Sequence, residues 1–189
     1  LLWSDGYKIC GVGGSDAHNL PEERYPGADL PSIVGDPGTY VYADACSPQK
    51  ILQAVRERHV CVSRFCRVEI SADDGNTQLL PGDEMKAAET EAVIRLYGDI
   101  EHPVITVVRY DEIEGIQKEP VTVTQKDGRC EGHYKYYVKG EYWQWFRFEV
   151  RDPSGQFLAY SNPLYYGKKE HRLTSYGDAL DKLEQKDAD

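Results

Sequence analysis

From residue 60 onward the sequence adopts a period of two, and that period limits what the chain can fold into. "VCVSRFCRVEISA", which begins at Val60, alternates apolar and polar residues, with Val60, Val62, Val68 and Ile70 as candidates to face inward. "EAVIRLYG" continues the pattern through Ala92, Ile94 and Leu96, and "VITVVRYDEI", "PVTVTQ", "HYKYYV" and "WQWFRFEV" follow. This is the period of a half-buried strand. In the last run Phe146, Phe148 and Val150 share one face, and Trp145, Arg147, Glu149 and Arg151 share the other. "DPSG" at 152–155 puts Pro and Gly where a β-turn accepts them, and "QFLAYSNPLYY" reads as the returning strand. Short strands joined by turns, with no helical period among them, predict an antiparallel β-sandwich over residues 60–167.

The first 59 residues read differently. Leu1, Leu2 and Trp3 look like the apolar end of a helix, with Gly6 at its C-cap. "YKICGVGG" predicts a short buried strand, residues 19–39 an extended loop rich in Pro and Gly, and "YVYADA" a short strand. Ser47 followed by Pro48 is a helix start, and the stripe of Ile51, Leu52 and Val55 predicts an amphipathic helix over 48–58. From Lys168 the tail is polar, and Leu173, Tyr176, Leu180 and Leu183 have the spacing of a short terminal helix. The expected organisation is a segment 1–59, a sandwich 60–167 and a polar tail 168–189. The chain opens without a methionine and its one Met is Met85, so a fragment or a processed chain is expected.

Composition narrows the function. In 189 residues, 40% hydrophobic content supports a packed core. A formal net charge of −10 leaves no basic stripe for a nucleic-acid backbone. No apolar run reaches membrane-spanning length, and none resembles a signal peptide. Cys10, Cys46, Cys61, Cys66 and Cys130 are odd in number and lack C-x-x-C spacing, so reduced, mostly buried thiols in a cytoplasmic protein are expected.

The stretch with the most chemistry is "GVGGSDAHN". On a strand, residues i and i+2 point the same way, so Asp16 and His18 would leave its end together. A carboxylate oxygen beside an imidazole nitrogen suits Zn, Mn or Fe. The glycines allow close backbone packing beneath the pair. They are no dinucleotide fingerprint, since Asp16 stands where G-x-G-x-x-G needs its last glycine. A lone D-x-H more often marks a hydrogen-bonded loop histidine than a ligand, and His59, His102, His133 and His171 do not complete the set by spacing.

Taken in order, "LLWSDGYKICGVGGSDAHN", "VGDPGTYVYADACSPQKILQAVRERHVCVS" and "FRFEVRDPSGQFLAYSNPLYY" resemble the C-terminal portion of PHP-domain (polymerase and histidinol phosphatase) metal-dependent phosphoesterases that carry a small β-rich domain after the barrel. The resemblance implies an α+β, mainly β chain: the last strand and helix of a distorted β/α barrel, then the sandwich. It implies that Asp16 and His18 are ligands of a divalent metal cluster whose earlier ligands, an H-x-H motif among them, belong upstream. This chain would then hold a partial site and be inactive alone, while the whole protein would hydrolyse a phosphorylated small molecule. Arg58 stands where relatives carry a glycine at the helix end.

A different class of function is also open. Tyr134, Tyr136, Tyr137, Trp143 and Trp145 could be core and rim, or a stacking platform on a non-enzymatic module that binds glycan or protein. Asp73, Asp74, Asp83 and Glu84 fall in turns and could hold calcium, although acidic turn residues are more often only solvated. An exposed edge left by an incomplete barrel would favour a homodimer.

Overall fold

The computed structural model describes residues 2–18, 33–64, 66–126, 128–170 and 175. Among them lie one helix, α1 (Pro48–Arg56), and twelve strands: β1 (Gly38–Val41), β2 (Val60–Ser63), β3 (Arg67–Asp73), β4 (Gln78–Leu79), β5 (Glu89–Tyr97), β6 (Val104–Asp111), β7 (Gly115–Val121), β8 (Val123–Lys126), β9 (Arg129–Tyr137), β10 (Gln144–Arg151), β11 (Phe157–Ser161) and β12 (Leu164–Tyr166). The chain is mainly β. Its named strands pair antiparallel in two sheets. The larger sheet runs β1-β2-β11-β10-β6-β7, with β12 also on β10, and the smaller runs β4-β3-β5-β9-β8.

The two sheets share one core. Phe146, Phe148 and Val150 of β10, with Ile105 and Val107 of β6, meet Val68 and Ile70 of β3 and Ala92, Ile94 and Leu96 of β5. The ring of Tyr136 stacks on Phe146 at 4.9 Å between centroids. These are the residues whose alternation predicted inward faces, and the arrangement is that of a β-sandwich.

The period misleads where the chain changes sheet. "VCVSRFCRVEISA" is two strands, β2 in the larger sheet and β3 in the smaller. Cys61, not Val60 or Val62, enters the core between the sheets. Val62 faces outward, against Gly13. "PVTVTQ" likewise divides at Thr122, between β7 of one sheet and β8 of the other, whereas "QFLAYSNPLYY" divides at Asn162–Pro163 into β11 and β12, both in the larger sheet. A strand that crosses between sheets keeps its apolar content, so nothing in the period marks the crossing.

Upstream, Gly6 N–H bonds to Trp3 C=O and Tyr7 N–H to Leu2 C=O, with Gly6 at φ +90°. This is the Schellman closure of a helical turn, as the sequence implied for Gly6. The short buried strand expected over residues 7–14 is not formed: residues 7–18 include no regular strand and pair with no ladder. They run as an extended strap over the outer face of the larger sheet. Trp3 lies edge-on to Trp145 at 5.9 Å, and Trp143 donates from Nε1 to Trp3 C=O at 2.6 Å. Trp143, Trp145, Tyr165 and Val108 thus form a second apolar cluster beneath the strap. Helix α1 starts as expected: the Ser47 side chain accepts from Lys50 N–H, and Pro48 opens the first turn. Its stripe is only partly covered, with Ala54 buried and Ile51 and Leu52 exposed. Leu173, Tyr176, Leu180 and Leu183 lie outside the described residues.

Candidate functional site

The strap is fixed by side chains where a strand would be fixed by its neighbours. The Asn162 carboxamide accepts from Gly11 N–H at 2.6 Å and donates to Gly11 C=O at 3.0 Å. It so reproduces the donor–acceptor pair of a facing peptide group. The same amide nitrogen reaches Val60 C=O at 3.0 Å. Two residues on, Thr39 Oγ1 accepts from Gly13 N–H at 3.0 Å and donates to Gly13 C=O at 2.6 Å. Tyr160 donates to Val12 C=O at 3.1 Å. Glycine is required at 13 by contact: a Cβ there would lie 2.3 Å from Val62 Cγ1.

Beyond these clasps the strap ends in Asp16 and His18. Asp16 Oδ1 and His18 Nε2 are 2.9 Å apart, with 90% and 75% of the side chains exposed. The pair therefore converges, but not by strand parity. Asp16 sits at φ +49°, in the left-handed region, and Ala17 N–H bonds to Ser15 Oγ at 3.4 Å. A local turn brings the two groups together where a pleat was expected.

A carboxylate oxygen and an imidazole nitrogen are donor types that divalent metals accept. Two donors each about 2.1 Å from one ion stand about 3.0 Å apart at a right angle and about 3.4 Å apart at a tetrahedral angle. The 2.9 Å contact is a hydrogen bond between the two side chains, so an ion shared by both atoms would have to replace the proton between them. Among the described residues there is no group of three or more His, Cys, Asp or Glu side chains arranged to hold a metal. Asp16 and His18 are thus two side chains, where a metal site needs three or four.

The other candidates have structural partners. His59 Nε2 bonds Asp83 Oδ1 at 2.9 Å, and His133 bonds Glu131 at 2.8 Å. His171 lies outside the described residues. Asp83 Oδ2 accepts from Leu80 N–H, and Glu84 pairs with Lys8. Asp74 accepts backbone N–H groups from Asn76, Thr77 and Lys86. Burial alone would raise its carboxyl, but these amides and that of Ala87 outweigh the effect and hold it below the usual carboxylate range. Tyr136, Trp143 and Trp145 are buried, and Tyr137 is exposed, so the aromatics proposed as a stacking platform do not share one open face. All five cysteines are free thiols. Cys61, Cys66 and Cys130 are buried, Cys46 is exposed and Cys10, in the strap itself, is half-buried. Burial pushes the Cys61 thiol up to about 12, which leaves it unreactive.

One surface groove, about 290 Å³, opens between β1 and β3 and is lined by Tyr40, Val41, Tyr42, Arg67, Val68 and Glu69. Tyr42 is fixed there, accepting from Ile70 N–H at 2.8 Å, while Tyr40 is exposed.

Asn162 and Thr39 were not singled out by reasoning from sequence. The available signal was a polar residue held between apolar ones, as in "YSNPLYY" and "GTYVY".

No protein-family model matches the chain, and no curated protein matches it. Among solved structures it is similar to the carbohydrate binding module of the muscle glycogen-targeting subunit of protein phosphatase-1, at 13% identity and a TM-score of 0.37, over 73% of this chain and 98% of that one. An overlap that loose carries no argument about ligand or activity. Among the described residues no helix is long and apolar enough to cross a membrane.

Proposed function

We propose that the chain is the C-terminal portion of a PHP-type metal-dependent phosphoesterase, with Asp16 and His18 as two ligands of its metal cluster. The observation that carries this reading is the exposed carboxylate–imidazole contact at 2.9 Å, at the end of a strap clasped to the sheet. The segments that bear the sequence resemblance also meet here: the strap carries "GSDAH", Thr39 belongs to "GTYVY" and Asn162 to "YSNPLYY". A divalent ion at such a corner would lower the pKa of a bound water and draw charge from a phosphoryl oxygen. Asp16 would supply a charged hard oxygen and His18 a neutral nitrogen. Both side chains are largely exposed. The substrate class is a phosphorylated small molecule, and the strap with α1 stands for the end of the barrel.

The test is phosphomonoester and phosphodiester hydrolysis by the complete gene product with Zn, Mn or Fe. Asp16→Ala and His18→Ala are each expected to lower metal-dependent turnover by about 100-fold or more, with unchanged sandwich stability. Activity retained in either variant removes that residue from the site.

A second reading, a non-enzymatic binding module for glycan or protein, is favoured by the sandwich architecture and by the groove at Tyr40. It expects the 189-residue chain to bind immobilised glycan or protein, and Tyr40→Ala to abolish that binding while Asp16→Ala leaves it intact. Silence on a glycan array together with loss of hydrolysis in Asp16→Ala decides for the phosphoesterase.

A further inference from the structure

We infer that β1 is a self-association edge, where two copies of this chain pair strand against strand about a twofold axis at Tyr40. Neither Asp16 nor His18 takes part. The larger sheet ends in two edges, β1 and β7. An open edge offers a row of unpaired N–H and C=O groups to any extended strand, and proteins blunt such edges with lysine and proline. β7 carries both, as Lys118 and Pro120. β1, "GTYV", carries no charge and no proline. In the smaller sheet, β3 is closed from within the chain: beyond the two-residue β4, the Tyr42 hydroxyl accepts from Ile70 N–H at 2.8 Å. Among the described residues nothing does the same for the outer side of β1.

The pairing of β1 with β2 fixes which of its groups are free. Tyr42 N–H bonds to His59 C=O at 2.9 Å, one step past the Val41–Val60 pair. Hydrogen-bonded and non-hydrogen-bonded residues alternate along an antiparallel ladder. Gly38, Tyr40 and Tyr42 therefore turn their peptide groups to β2, and Thr39 and Val41 turn theirs outward. A second β1, antiparallel and centred on Tyr40, sets Thr39 opposite the partner's Val41 and Val41 opposite the partner's Thr39. Each of these pairs exchanges both N–H···O=C bonds. The register is self-complementary, as a closed twofold interface requires. Tyr40 then meets the partner's Tyr40 as the closer, non-hydrogen-bonded kind of pair. Tyr40 stands opposite Cys61, a core residue, so its ring leaves the sheet on the side of the groove, where it is 43% exposed. The second ring covers it, and aromatic cross-strand pairs are favourable. The edge is short, so the dimer is weak, with a dissociation constant on the order of 10⁻⁴ M. "GTYVY" contains no charged residue, yet each copy carries a formal charge of −10. Salt screens that repulsion and strengthens this dimer, whereas it would weaken one held by ion pairs.

The experiment is sedimentation velocity and amide exchange by NMR on the 189-residue chain, from about 10 to about 500 µM. The weight-average mass is expected to rise with concentration. Exchange at Thr39 and Val41 is expected to slow about 3-fold over that range, while exchange at Tyr40, already bonded to β2, does not change. Raising NaCl from about 20 to about 300 mM is expected to tighten association about 3-fold. Tyr40→Lys sets like charges face to face on the axis and is expected to hold the chain monomeric, whereas Tyr40→Phe keeps the dimer. Val41→Pro removes an outward N–H and no bond to β2, and it decides if Tyr40→Lys does not fold. A mass independent of concentration overturns the inference. With Thr39 and Val41 then exchanging freely, the edge is left to a strand of another protein; with both protected at the lowest concentration, it is already covered within one chain. Association that Tyr40→Lys and Val41→Pro leave intact, or that salt weakens, lies on another surface and overturns the inference as well.

Discussion

The outer face of the larger sheet carries Val62, Trp145 and Tyr165 beneath the strap, whereas the outer face of the smaller sheet carries Glu69, Glu91, Arg95, Glu131 and Lys135 in open ion pairs. Their strands differ accordingly. β2 is buried at all four positions and β10 at all but Arg147 and Arg151, while β5 alternates between buried and accessible residues. A sheet covered on one side needs one apolar face, and a sheet covered on both needs two. Residues 2–18 are therefore structurally part of the larger sheet although they form no strand. That cover also explains why the candidate ligands lie there. A segment that must cover an apolar face is held firmly enough to present a pair of side chains beyond its edge.

The covered face should be far less tolerant of truncation than the bare one. Trp145 is 2% exposed on the covered face, and Trp145→Ala is expected to cost about 3–5 kcal/mol in urea unfolding. Arg95→Ala, on the bare face, loses a partly exposed pair with Glu131 and is expected to cost less than about 1 kcal/mol. Equal costs would mean that the strap does not seal the larger sheet.

A second expectation concerns how the bare sheet is held at its end. Asp74 ties the β3–β4 turn to Lys86 N–H, close to the start of β5. Its carboxyl is held low when folded, so it adds stability above its unfolded value of about 4 and loses that contribution as pH falls through the lower folded value. Asp74→Asn is expected to cost about 1–3 kcal/mol at pH 7 and to flatten the acid side of the stability profile below pH 4. An unchanged slope would assign acid sensitivity to other carboxylates.

The same contrast governs what the sequence could reveal. In the smaller sheet Val68, Ile70, Ala92, Ile94 and Leu96 were legible as core because their outward neighbours are charged. In β2 the reading inverted, since Val60 and Val62 are as apolar as any core residue and only the strap explains them. Asp16 and His18 were expected to meet on one face of a strand; they meet instead through a turn at φ +49°, which spacing alone does not encode. The clasps were hidden because Asn162 and Thr39 are far in sequence from Gly11 and Gly13, and no local pattern links a side-chain amide to a distant peptide group. Nor does a single chain's period tell a strand that pairs from a strap that is gripped.

The smallest expected effect sharpens the comparison where α1 meets the strap. Helix α1 ends in a second Schellman closure: Arg58 N–H bonds to Val55 C=O and His59 N–H to Ala54 C=O. Arg58 takes the left-handed position at φ +66°, where glycine would be unstrained. Its guanidinium reaches Lys8 C=O at 3.5 Å and Gly82 C=O at 3.4 Å, so it spans the strap and the loop before β5. Arg58→Gly relieves the backbone strain and loses these long contacts, and the two changes should nearly cancel, within about 1 kcal/mol. Arg58→Ala loses the same contacts and keeps the strain. The difference between the two variants in urea unfolding therefore isolates the backbone cost, expected at about 1 kcal/mol in favour of glycine. If alanine and glycine are equal and both are clearly less stable than arginine, the guanidinium anchors the strap, and the helix end belongs with the clasps that hold the covered face.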